Sequence, residues 1–205
     1  MASSLRQLPA NYTAHSALDF GRKGWLRTLT NLASLVVWLV CSGLLVWIVV
    51  RFRLDAGENA PVFGQAEGLI AFAALTILVV GMASFVHQAI HGVGYWLFTR
   101  ERPHFAMSGR YLSVSACHWY LTKLGYATML LMPLIVWLPV IIAAIAFGPA
   151  PTVYWLAVAL ALNIAVCVGD LMMTVWVLRQ PHGALFNDNA RDTGTTAYTP
   201  TSSIA

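Results

Sequence analysis

Long uncharged apolar runs separated by short polar stretches set the first expectation. Thr28 to Val50 carries no charged residue, Gly68 to Thr99 carries none, and Leu124 to Gly169 carries none. A helix that crosses the hydrocarbon layer needs about 20 apolar residues. The first run therefore predicts one span and the second one long span. Gly148-Pro149-Ala150-Pro151 interrupts the third run, which divides it into two spans, the latter continuing past Asp170 to about Leu178. The expected fold class is an all-α membrane protein of four transmembrane helices. The first run starts too late and is too long for a cleaved signal, so it reads as a retained helix.

The polar segments fill in the organisation. Residues 1–24 predict a basic arm, 25–186 a single four-helix domain, and 187–205, rich in Thr, Ser, Asn and Asp, a poorly ordered tail. Leu54 to Ala66 is a short external loop and Arg100 to Thr122 a longer internal one. Within the latter, Ser108-Gly109 is a turn signal between two strand-like runs, which predicts a short β-hairpin over His104 to Ser115. Ala116 to Thr122, with Trp119 and Tyr120, reads as an interfacial lead-in to the third span. Pro133 and Pro139 each remove a backbone donor and should kink that span.

Composition agrees with the apolar pattern. The 205 residues are 59% hydrophobic and 10% charged, against about 25% charged in soluble domains. Arg6, Arg22, Lys23, Arg27, Arg100, Arg102, Arg110, Lys123, Arg179 and Arg191 flank one side of the spans, and only Arg51 and Arg53 the other. That asymmetry places both termini in the cytoplasm. The net charge of +4 is thus an orientation signal and needs no nucleic-acid partner. Cys41, Cys117 and Cys167 have neither metal-ligand nor redox spacing. The sequon Asn11-Tyr12-Thr13 falls on the predicted cytoplasmic side.

Candidate chemistry lies inside the spans. Asp170 is the one Asp or Glu within a predicted span. An isolated carboxylate there costs on the order of 3 kcal/mol, so it calls for a cation, a proton or a water-filled cavity. Asn163 lies two turns earlier on the same helical face. His87 and His91 stand four residues apart, which sets both imidazoles on one face, the spacing by which a helix offers two nitrogens to Zn²⁺. Counted from the cytoplasmic ends of their spans, His87, His91 and Asp170 all lie roughly 10–17 Å deep. Pro133 falls at the same level. Two imidazoles and one carboxylate leave a fourth position for water, the pattern of a catalytic zinc. A haem between histidines is disfavoured, because His87 and His91 share one face and cannot take opposite sides of one ring.

Val86-His87-Gln88-Ala89-Ile90-His91-Gly92 resembles the His-Glu-x-x-His-Gly signature of zincin peptidases. Together with Gly169-Asp170, Asn163 and the stretch from Lys123-Leu-Gly-Tyr126 to Pro133, it is similar to a small bacterial family of four-span zincin peptidases. The plan also resembles site-two-type intramembrane metalloproteases. The resemblance covers roughly residues 20–192. It implies Zn²⁺ held by His87, His91 and Asp170, an acid/base at position 88, and an oxyanion donor at Asn163 or a backbone amide. It further implies a protein or peptide substrate in or near the lipid bilayer of the bacterial inner membrane. His104, Ser108, Gly109, Tyr111 and Pro133 are the candidate substrate contacts, the hairpin offering an edge strand to an extended segment. The departure is Gln88, where the family carries the Glu that accepts a proton from the attacking water. Gln keeps the shape but cannot take the proton, so this chain is expected to be inactive. Retention of every other part of the site favours an engineered change over a natural non-catalytic zinc-binding pseudoprotease that holds a membrane partner.

Overall fold

The computed structural model describes residues 4–19, 24–49, 51, 66–108, 111–148, 150–188 and 194–201. Residues 54–65 of the expected external loop and the turn residue Gly109 lie outside them. The elements are β1 (Ser4–Leu5), β2 (Tyr12–Asp19), α1 (Gly24–Val49), α2 (Ala66–Thr99), β3 (His104–Ser108), β4 (Tyr111–Ser115) and β5 (Tyr120–Thr122). They continue with α3 (Lys123–Met132), a π-helical segment (Pro133–Trp137), α4 (Leu138–Phe147), α5 (Ala150–Arg179), β6 (Leu185–Asp188) and β7 (Gly194–Pro200).

Among the described residues, four stretches are long and apolar enough to cross a membrane: Gly24–Leu45, Ala73–Thr99, Lys123–Phe147 and Thr152–Arg179. They coincide with the runs read from the sequence. Their outer faces are apolar and uncovered, as at Leu32, Leu35, Val36 and Leu39 on α1 and Ile77, Leu78, Met82 and Phe85 on α2. Apolar surface of that extent marks a lipid or partner face. The two prolines act differently. At Pro133 the missing N–H is accommodated by a switch to π geometry. Pro139 sits in the first turn of α4, directly after that segment.

The chain forms two compact units: Met1–Asn31 with Gln88–Met132 and Gly169–Ala205, and Leu32–His87 with Pro133–Val168. The first unit holds a five-stranded antiparallel sheet in the order β1-β5-β6-β7-β2, and β3 and β4 pair as the expected hairpin. Phe186 of β6 lies opposite both Leu121 and Ala197. With Tyr95, Tyr126, Ala127, Met129, Met173 and Val177 these residues make the core of this unit. In the second unit Ala83, Ile141, Ala159 and Leu160 are buried together, with Leu45, Val79 and Leu156 packed around them. Ala157, Ala159, Ala161 and Ala165 line α5, and such small side chains let apolar helices approach closely.

The sheet corrects three expectations. The basic arm supplies β1 and β2, the lead-in to the third span supplies β5, and the tail supplies part of β6 and β7. The chain is therefore not all-α. The physical reason is in Gly194-Thr-Thr-Ala-Tyr-Thr-Pro200: threonine and tyrosine favour strands, and Ala197 and Thr199 bury fully although neither is large. Composition reads such a segment as polar tail, whereas its alternating burial is that of a strand.

Candidate metal centre

In the first unit the site is built around His91. α2 presents this imidazole to the interior, with 5% of its surface exposed. Its Nδ1 lies 3.1 Å from the carbonyl oxygen of Met129 on α3, and its Nε2 lies 3.4 Å from Oδ1 of Asp170 on α5. A carbonyl only accepts, so Nδ1 carries the proton and Nε2 of the neutral ring presents its lone pair to the carboxylate. Two acceptors facing each other repel unless a cation or a proton lies between them. The Met129 carbonyl is available for a local reason. In an α-helix its donor would be the N–H of residue 133, and Pro133 has none. Gly94 helps to seat α3, because Met129 and Met132 pack where a side chain at Gly94 would project.

In the second unit His87 is 1% exposed and Asn163 of α5 likewise. His87 Nδ1 stands 3.0 Å from Asn163 Oδ1. The amide oxygen accepts, which again leaves Nε2 as the lone-pair nitrogen. Among the described residues Asn163 Nδ2 is buried without a hydrogen-bond partner.

α2 runs unbroken through both histidines, so His87 stands one turn before His91 on the same face. His87, His91 and Asp170 thus make a donor set that could hold a metal ion. Two borderline nitrogens and one carboxylate oxygen suit zinc. Each imidazole is oriented through its other nitrogen by an outer partner, as ligating histidines usually are. On this chemistry the residues fit the ion.

Other predicted positions fall elsewhere. Gln88 is half-buried on α2. Pro133 is buried and opens the π segment. His104 is exposed at the start of β3, where it lines a cavity of about 290 Å³ with Glu101, Arg102, Ser115, Cys117 and His118. Ser108 and Tyr111 pair across the hairpin. None of these joins the histidine and carboxylate donors in a described contact.

Residues the sequence reading missed gather one turn beyond His91. Tyr95 and Tyr126 both donate to the carboxylate of Asp188, and Thr195 donates to its Oδ1 at 3.0 Å. Burial pushes the Asp188 carboxyl above its ordinary range, while the hydroxyls of Tyr126, Tyr95 and Thr195 pull it partly back. The signals in the sequence are Tyr95, four residues after His91 on the same face, and Tyr126, which the family resemblance includes without a role.

The profile of the family described as putative zincin peptidase matches residues 77–185. That span contains His87, His91, Met129, Asn163 and Asp170. No curated protein and no solved structure matches the chain.

Proposed function

The chain belongs to the family described as putative zincin peptidase, and on that premise we propose that it is a membrane-embedded zinc metallopeptidase, inactive in this form because position 88 is glutamine. His87, His91 and Asp170 hold the ion. Bound there, zinc supplies Lewis-acid polarisation of water and of a peptide carbonyl. The chain's own residues do the rest. Asn163 and the Met129 carbonyl hold the two rings in one tautomer. The Asn163 Nδ2, without a hydrogen-bond partner among the described residues, would serve as the donor to a developing oxyanion. Position 88 is where a carboxylate would take and return the proton; Gln88 cannot. The substrate is a protein segment in or beside the membrane, laid against the β3–β4 edge. The setting is a bacterial inner membrane with both termini cytoplasmic, an orientation supported by the bias of basic residues.

The observation that carries this reading is the carboxylate of Asp170 meeting the lone-pair nitrogen of His91 in a buried site. Protein purified without chelators should contain about one zinc per chain by elemental analysis. Absence of zinc, with none taken up on addition, would remove the reading. Gln88→Glu should yield cleavage of membrane proteins in a proteomic comparison, and His87→Ala in that background should abolish it. Gln88 also favours a second reading, a non-catalytic zinc protein that captures a membrane partner. In that case Gln88→Glu binds metal and partner yet cleaves nothing.

A further inference from the structure

The Asp188 cluster is more than a plug between sheet and helices. Its carboxylate accepts from Tyr95 on α2 through Oδ2 and from Tyr126 on α3 through Oδ1. Thr195 of β7 adds a third hydroxyl, itself 2.7 Å from that of Tyr126. Tyr95 and Tyr126 are almost wholly buried, and Tyr126 stacks on Phe186 of β6 with ring centroids 5.4 Å apart. Asp188 is half-buried; a carboxylate drawn away from water is costly, and an apolar side chain in its place would bury at lower cost. What a fully satisfied polar cluster gives in return is one fixed geometry.

The geometry fixed here is that of the helix pair carrying His91 and its acceptor. Tyr95 lies one turn after His91 on α2. Tyr126 lies three residues before Met129 on α3. The same two helices are therefore joined by two successive rungs, His91 to Met129 and Tyr95 to Asp188 to Tyr126. We propose that Asp188 is a positioning residue for the metal site, setting the α2–α3 spacing at which the Met129 carbonyl orients His91. The inference rests on the reading that His91 is a metal ligand. It also explains why the sheet is there, since strand β6 delivers the carboxylate and β7 braces it.

The test uses the full chain in detergent, freed of metal, and reads binding rather than cleavage. Zinc is titrated against a competing chelator, and cobalt(II) is added as a spectroscopic stand-in. Asp188→Asn should weaken zinc binding about 10- to 100-fold, the usual loss when an outer partner of a ligand is removed, and should alter the visible cobalt spectrum. In a His91→Ala background the same substitution should change neither, because the residue acts through His91. Tyr95→Phe deletes a single hydroxyl and keeps the ring, so it serves where Asp188→Asn does not fold; it should weaken zinc binding in the same direction. Unchanged zinc affinity in Asp188→Asn or Tyr95→Phe would overturn the inference, and so would an equal loss with and without His91. A wild-type chain that binds neither zinc nor cobalt would instead sink the underlying metal reading, which is a separate result.

Discussion

Met129 contributes no side-chain chemistry to the site, yet its carbonyl decides which nitrogen of His91 faces Asp170. That carbonyl is free to do so because Pro133 stands four residues later. Pro133→Ala would restore an N–H that competes for the same oxygen. Its two effects should have opposite signs. The metal-free protein should melt higher, since proline within a helix costs roughly 3 kcal/mol, while zinc affinity should fall by about tenfold, as for other outer partners. Thermal melts and chelator competition on one preparation check both. The grouping of His87, His91 and Asp170 as possible metal donors is legible in the sequence because metal donors are few residue types and helical spacing is fixed. The Met129 acceptor was not, because every residue carries a carbonyl; its trace in the sequence was the proline, which reads first as a kink.

At the scale of elements, helices and strands differed in legibility. The four apolar helices announce themselves by length and lack of charge, and Ser108-Gly109 announces the hairpin. The sheet strands are short, polar and paired far along the chain: Leu5 with Tyr120, Leu121 with Phe186, Ala14 with Tyr198. No local pattern encodes such partners. Asp188 illustrates the cost of missing them, since its role exists only where β6 meets α2 and α3. Its titration gives a signed expectation. A carboxyl that burial pushes up holds its proton more tightly folded than unfolded, so its contribution is greatest in acid and shrinks as pH rises through the raised value. Asparagine does not titrate. The destabilisation caused by Asp188→Asn in metal-free protein should therefore narrow as pH is raised from about 4, the ordinary carboxylate value, towards neutrality. Melts across that range, compared with wild type, measure it.

For the molecule as a whole, the sheet ties distant parts of the chain to α2 and α3. β7 is bonded on one side to β6 and on the other to β2, and Thr195 reaches Asp188 from it. Removing residues 194–201 should expose residues 12–19 to protease, seen as new fragments by mass spectrometry, and should lower the zinc retained per chain. The pairing of β2 with β7, from Tyr12 with Pro200 to Asp19 with Gly194, also bears on synthesis. A ribosome releases residue 12 long before residue 200. During that interval the brace on Asp188 cannot exist, whatever the helices have already done. On the proposed reading, a nascent chain that already holds His87, His91 and Asp170 gains a braced donor set only once residue 195 has been added.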